Sequence, residues 1–337
     1  MQTVTAVILA YGAEPWLQDA VHAALASTGI DIDVVVVDNG CTSDAIDQVK
    51  GLDGVRVITS ETNSGFAGGC DRGAAEARGE YLAFVNSDAV VAPAALSRLA
   101  EVASEPEVGL ATGSIRLADA PDTMNSAGNP VHFTGLAWSG GFGEPATRYA
   151  RRRPVTAGSG CCFVIRRDLW EELGGFAPEY FAYHEDTELS LRLWQRGRTV
   201  EYVPDAVVAH HYEFSRNERK FYLLERNRLL LLLTTYQRRS LLVLAPILAL
   251  TDLLMLGAAI AGGWGRAKLH GWLWLWRHRG WVRARRALIQ GERTVPDTVI
   301  FNRMTARIDP ANVAAPPGVG LLNALMSGYW SVARHFL

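Results

Sequence analysis

Cysteine is scarce in this chain: Cys41, Cys70, Cys161 and Cys162 are four residues among 337. They have neither zinc-finger spacing nor the density of a disulfide-stapled secreted domain, so a reduced cytosolic compartment is expected. The adjacent pair 161–162 would face opposite sides of a strand, one of them into the core. Two nucleotide-binding signatures are also missing. No GxGxxG follows the first apolar run, and no GxxxxGK[ST] phosphate loop occurs anywhere. The opening MQTVTAVILAYG lacks the basic leader of a signal peptide and reads as a buried first strand. A formal net charge of -2 gives no reason to invoke nucleic acid.

What the chain has in quantity is apolar residues, close to half of the total. That is enough for a substantial α/β core with a smaller attachment. Val/Ile-rich runs at 4–10, 33–38, 55–59, 81–86 and 108–115 alternate with helical patterns at 15–27, 44–51, 67–77 and 93–104. Continuous apolar runs belong to strands covered on both faces. A Rossmann-like, mostly parallel sheet flanked by helices is therefore predicted, with right-handed crossovers. Residues 119–154 are rich in glycine and proline and read as an insert for substrate recognition. Residues 155–166 read as strand with a glycine-bearing turn, 168–173 and 185–195 as helices, and 199–204 as a strand leading into AHHYEFS at 209–215. This organisation predicts a domain over 1–218, with a nucleotide-binding part at 1–118 and an acceptor-binding part at 119–218.

The character changes after residue 218. Residues 220–233 are strongly helical, and 241–261 are almost wholly apolar apart from Pro246 and Asp252. That length approaches the roughly 20 residues of a spanning helix, although an aspartate near the middle penalises insertion. Residues 265–293 then carry eight Lys or Arg against one acid, Glu292, and Trp264, Trp272, Trp274, Trp276 and Trp281 lie in or beside this stretch. Aromatics beside cations are what an interfacial helix carries. Region 219–337 is expected to be helical and membrane-associated from one side. A true span, a dimer helix or an intramolecular core helix are the alternatives.

Several places carry potential chemistry. Asp38 ends the apolar strand VVVVDNG, where open parallel sheets bind ligands; the alternative is an Asx-turn. Asn63, Gly65 and Gly68 belong to NSGFAGG before a helix, where glycines let a ligand approach free backbone N–H groups. Asp71 follows, facing a nucleotide or solvent. Asn86, Ser87 and Asp88 close another apolar strand, and Asp88 offers an oxygen to a hard cation. Of His210 and His211 only one should enter a site, and His210 either completes a mixed oxygen–nitrogen shell or bonds backbone in the core. In FAYHEDTELSLRLWQRG, Glu185 and Asp186 are adjacent, so only one can face a pocket as base. Leu189, Leu191 and Leu193 are read as the apolar side of that helix, Arg192 and Arg196 as its outward polar face.

In that order, VVVVDNG, NSGFAGG, FVNSDAVV, GSGCCFVIRRDLWEELGGF and HEDTELSLRLWQRG resemble the family 2 glycosyltransferases of GT-A fold, particularly bacterial rhamnosyltransferase-like members. The resemblance covers roughly residues 4–228. It implies donor binding by Ala10, Tyr11, Asp38, Asn63, Gly65, Gly68, Asp71, Asn86, Ser87 and Asp88, with Asp38 on the nucleotide base. Asn86–Ser87–Asp88 stands where the family has its DxD-type motif, and Asp88 with His210 would hold Mg²⁺ or Mn²⁺. Asp186 resembles the catalytic base and Glu185 its neighbour. Trp138, Gly158, Ser159, Gly160, His184 and Glu185 would face the acceptor, with His132 and Trp170 as further ring contacts. Asn86 replaces the first aspartate of a DxD, and Gly12 replaces the usual asparagine after the first-strand tyrosine.

The reaction so implied is inverting transfer from a nucleotide-diphosphate sugar to a hydroxyl of a cell-surface or lipid-linked glycan, with the 119–154 insert as a lid. A rhamnosyl donor would carry deoxythymidine diphosphate; galactosyl, glucosyl and mannosyl transfer stay open. The expected location is the cytoplasmic face of the cell membrane, peripherally bound, with the cytoplasm as alternative and a homodimer through the C-terminal region as a further use of that surface. A different sugar-nucleotide enzyme or a non-catalytic nucleotide-sugar-binding module are the competing functions.

Overall fold

The computed structural model describes residues 1–212, 217–309 and 318–337. Its first half runs β1 (Thr3–Gly12), α1 (Leu17–Leu25), β2 (Asp31–Cys41), α2 (Ala45–Val49), β3 (Val55–Thr59), α3 (Gly65–Ala75), β4 (Tyr81–Asn86), β5 (Ala89–Val91), α4 (Ala95–Ala103) and β6 (Val108–Leu117). Then come β7 (Ala120–Ser126), β8 (Arg153–Pro154), β9 (Cys162–Arg166), α5 (Arg167–Leu173), α6 (Glu185–Gln195) and β10 (Thr199–His210). Of AHHYEFS, residues 213–215 lie outside the described residues.

The strands form one sheet in the order β3–β2–β1–β4–β9–β6–β10–β5, with β7 on β6 and β8 on β10. β3, β2, β1 and β4 are parallel, and β10 is parallel to β6. β9 enters antiparallel between β4 and β6, so the sheet is mixed at its centre. Period-2 alternation divides the valine runs between two cores. Val7, Val35, Val37 and Phe84 face one side, and Ala6, Ile8, Val34 and Val36 the other. α1 covers the second side with Leu17, Ala20, Val21 and Ala24, the spacing of one helical face. Burial of Leu17 and of Val21 contributes about 1.5–3 kcal/mol each, and of either alanine less. Both Cys161 and Cys162 are buried. The 119–154 stretch is less irregular than its composition suggests, because β7 forms a hairpin with β6 and β8 adds to β10.

Two local features depart from the expectations. Gly69 at the end of NSGFAGG serves packing: a Cβ there would strike Leu9, and one a turn later on Gly73 would strike Val7, so α3 lies close on β1. Arg192 is not on an outward face. It is 3% exposed, pairs with Glu188 at 2.7 Å, and donates to the carbonyls of Leu173 and Gly175. Arg196 is nearly covered too, between Glu172 and Glu292.

The C-terminal region consists of α7 (Glu218–Thr235), α8 (Arg238–Ala261), α9 (Gly265–Arg277), α10 (Arg279–Gly291), α11 (Asp297–Phe301) and α12 (Val319–Ala333). It shares a core with what precedes it. Phe133 stacks on Trp330 at 4.6 Å, Trp330 meets Phe301, and Leu231, Leu232 and Tyr236 join Leu189, Leu191 and Leu193 in one cluster. Asp252 does not sit bare in its apolar helix: it bonds Arg228 of α7 and Lys268 of α9, both at 2.7 Å. Glu225 completes this buried group of charges.

Candidate active site

A cavity of about 390 Å³ opens at the carboxyl ends of β1, β2 and β4, where a parallel sheet offers a ligand crevice. Of the donor-side residues, it gathers Tyr11, Asn63, Gly65, Asn86, Ser87 and Asp88. Its opposite contributors are Phe181, Ala182 and Tyr183 from the loop before α6, and Asn217, Arg219, Lys220 and Leu223 from the start of α7. Phe181, Tyr183 and His184 all have positive φ, unusual for residues with side chains, so this loop is held in a costly shape against the cavity. Gly65 also has positive φ, and a Cβ there would strike the Phe181 carbonyl. Its glycine is required by that packing.

Asn39, in the turn after Asp38, organises the floor. Its amide donates to Asn63 Oδ1 at 3.0 Å and its oxygen accepts from Ser64 N and Oγ, both at 3.0 Å. Asp38 Oδ1 accepts from the N–H groups of Gly40 and Cys41, an Asx-turn, and Asp38 is not part of the cavity wall. Glu14 gave no signal in the sequence. It lines the cavity, accepts from Tyr11 N at 2.7 Å, and burial raises its pKa despite that bond and one to Ser87. Arg219 and Lys220 gave no periodic signal beyond a helix; their role in the wall follows only from where α7 begins.

Ala10, Gly68 and Asp71 lie outside the cavity wall. Ala10 is fully buried within β1. Gly68 packs toward Ser64 and Pro178. Asp71 turns to the loop after α5, where its Oδ1 accepts from Phe176 N at 3.0 Å, and burial lifts its pKa to about 7. On the acceptor side, His184 is buried with Nε2 on the Gly135 carbonyl at 3.2 Å, and burial drives its pKa to about 4. His132 is fully enclosed, and Trp170 packs on Phe84 and Phe176, so neither offers a ring to a sugar. Trp138 keeps partial exposure.

The Gly158–Gly160 loop wraps the start of α6. Gly158 N donates to Ser190 Oγ, Ser159 N to Thr112 Oγ1, and Gly160 N to Asp186 Oδ2 at 2.9 Å. Ser159 itself is buried. Asn129 approaches the same Asp186 oxygen at 3.5 Å, while Oδ1 accepts from Thr187 N at 2.6 Å. Burial raises the Asp186 pKa, and the Gly160 and Thr187 donors oppose the rise. Glu185 is buried with Oε2 unpartnered among the described residues; burial first, then the charge of Asp186, pushes its carboxyl well above the usual range. Neither acid is in the wall of the 390 Å³ cavity. The connection runs through Cys161, whose carbonyl accepts from Asn86 N at 2.9 Å beside Gly160.

His210 and His211 divide as strand geometry requires. His211 stacks on Trp16 with centroids 3.6 Å apart, while His210 turns to Asp88. His210 Nδ1 meets Asn125 Oδ1 at 3.0 Å and Nε2 meets Asp88 Oδ1 at 3.1 Å. A neutral ring that donates from Nδ1 presents the Nε2 lone pair to a carboxylate, an arrangement relieved by a proton or cation between them. An imidazole nitrogen with a carboxylate oxygen is a donor set that Mn²⁺ or Mg²⁺ accepts. No third His, Cys, Asp or Glu joins the pair among the described residues.

The α/β sheet, with an acid-and-amide crevice at its carboxyl edge, a His–Asp pair beside it and an acidic helix start behind it, has the GT-A fold. The family model for glycosyl transferase family 2 matches residues 5–174, and the chain belongs to that family. Among curated proteins, N-acetylglucosaminyl-diphospho-decaprenol L-rhamnosyltransferase of Mycobacterium tuberculosis is 29% identical over 230 residues, covering 61% of this chain and 75% of that protein. O-antigen biosynthesis protein RfbC of Myxococcus xanthus is 34% identical over 151 residues, 42% of this chain but 12% of its own length. An uncharacterized Sinorhizobium fredii protein, y4gI, is 29% identical over 55% of this chain and 22% of its own. The match thus spans only a small part of these last two relatives. Among solved structures, GalNAc-T7 with UDP, GalNAc and Mn²⁺ gives a TM-score of 0.58 at 18% identity, covering 73% of this chain and 51% of that one. The mannosyltransferase PcManGT from Pyrobaculum calidifontis, with GDP-Man and Mn²⁺, gives 0.50 at 15% identity, covering 98% and 85%. At these identities the structural likeness speaks for the fold.

Proposed function

We propose that the chain performs inverting transfer of a sugar, rhamnose in the reading favoured by the mycobacterial relative, from a nucleoside diphosphate to a hydroxyl of a cell-surface or lipid-linked glycan. The observation carrying this is the carboxylate of Asp186, fixed at the first turn of α6 by Gly160 and Thr187 N–H groups. A base held on backbone donors cannot swing away, and it takes the acceptor proton as the oxygen attacks the anomeric carbon. Tyr11, Asn63 and Ser87 line the crevice for the donor, and Arg219 and Lys220 bring positive charge to the same wall for the departing diphosphate. Asp88 and His210 would hold the cation, whose chemistry when bound is to stabilise charge on the diphosphate oxygens. The dTDP donor rests on the rhamnosyl reading alone.

The test is nucleoside diphosphate release from a panel of nucleotide sugars with Mn²⁺ and a lipid-linked glycan extract. Wild type should release diphosphate from one donor, only with acceptor present, and Asp186→Asn should lower kcat by about 10²–10⁴-fold. The base works deprotonated, so kcat should fall as pH drops through its pKa, which burial raises from the ordinary aspartate value. Turnover unchanged in Asp186→Asn would remove Asp186 as base; donor binding with no turnover in any extract would favour a binding module.

A further inference from the structure

We infer that the outer face of α8 lies flat on an anionic phospholipid bilayer, with Arg238, Arg283 and Arg286 taking lipid phosphates at one end. From residue 240 to 264 the only charged side chain is Asp252. Asp252 points inward to Arg228 and Lys268, so the outward side is left without charge. That side exposes Leu242 (76%), Leu253 (63%) and Ile260 (67%), and only 17% of the helix's most apolar stretch is buried. At 1.5 Å per residue the 24 residues extend about 36 Å. α12 lies against the early part of α8, through Tyr329 on the Val243 carbonyl, and exposes Leu321, Leu325 and Val332.

Charge selects the occupant. Where α8 begins, Arg238 with Arg283 and Arg286 of α10 lines a cavity of about 520 Å³ that has no acidic residue in its wall among the described residues. On α9, Trp276 is 63% exposed and followed by Arg277. An uncharged row with arginines at one end matches an acyl boundary under phosphate headgroups. A spanning orientation is opposed by Asp252. Pulling it into lipid would strip Arg228 and Lys268, both almost fully buried, of a partner each contacts at 2.7 Å. The helix therefore rests on the membrane without crossing it. This inference uses no step of sugar transfer and stands apart from that reading.

The test is flotation of the full chain with phosphatidylcholine vesicles, with and without phosphatidylglycerol, alongside light scattering for oligomeric state. Wild type should float, more strongly with phosphatidylglycerol. L242E and L253E, both at exposed positions, should keep the wild-type melting temperature and stop floating with either vesicle. R238Q and R283Q should each lower partition onto phosphatidylglycerol by about fivefold and leave the phosphatidylcholine signal unchanged. Failure of wild type to float, or equal flotation of the leucine variants, would overturn the inference. So would a wild-type dimer that the leucine variants convert to monomer without altered flotation, since a second copy would then cover the face. Protein retained in cell membranes through alkaline carbonate extraction would instead show a span.

Discussion

Asp71 illustrates how a residue type can be legible while its target is not. Its position in the first turns of α3, beside a glycine-rich loop, suggested a nucleotide; its carboxylate instead receives Phe176 N–H, 105 residues away. Burial raises its pKa from 3.8 to about 7, against the Phe176 donor and the positive charges of Arg192 and Arg285. The folded state thus holds a proton that the unfolded chain releases near pH 4. The associated stability is full below that pH and is lost as pH rises to about 7. Asp71→Asn keeps an oxygen for Phe176 N and has no charge to bury. Urea unfolding at pH 5 and pH 8 should show wild type losing on the order of 2 kcal/mol over that interval, after discounting for partial exposure, and the variant losing little of it. Equal losses would mean Asp71 ionises freely. Asn39, Glu14, Arg219 and Lys220 were illegible for the same reason: single polar residues have no period, and only the fold says which crevice they meet.

α6 shows the corresponding limit for a helix. Its boundaries were readable to the residue, because an acidic first turn and a glycine at 197 bracket the leucines. Its facing was not. Glu188 and Arg192 look like an exposed i,i+4 pair, yet both are buried, and Glu188 takes Arg285 of α10 at 2.6 Å as well. Arg285 was counted among cations for a membrane or anionic substrate; it clamps the helix that carries Asp186, 97 residues from its partner. Removing one member of a buried ionic group leaves the rest uncompensated. Arg285→Met should cost about 3 kcal/mol, since Glu188 keeps Arg192. Glu188→Gln should cost more, because Arg192 and Arg285 then remain buried without a carboxylate. Denaturant midpoints at constant slope would measure both, and a larger loss in Arg285→Met than in Glu188→Gln would show that the network is not centred on Glu188.

The sheet and its crevice were legible because continuous valine runs and their terminal turn residues are local signals. The division of the chain was harder, since composition changes sharply near residue 218 while the core does not. Phe133, Leu189 and Leu193 share one cluster with Leu231, Tyr236, Ile300 and Trp330, so helices after the compositional boundary cover apolar surface before it. A chain ending at residue 218 would expose that surface, and it should lack a cooperative thermal transition and bind an apolar dye. Removing only 310–337 is a milder cut. Phe133 loses the stacked Trp330 at 4.6 Å and Phe301 loses its edge contact, but α7, α8 and α11 remain. By analogy with truncating a buried tryptophan, the cost should be about 3–5 kcal/mol with cooperative unfolding retained. If the 1–218 chain instead melted cooperatively near the full-length temperature, the two regions would be separate folding units joined by a dispensable apolar contact.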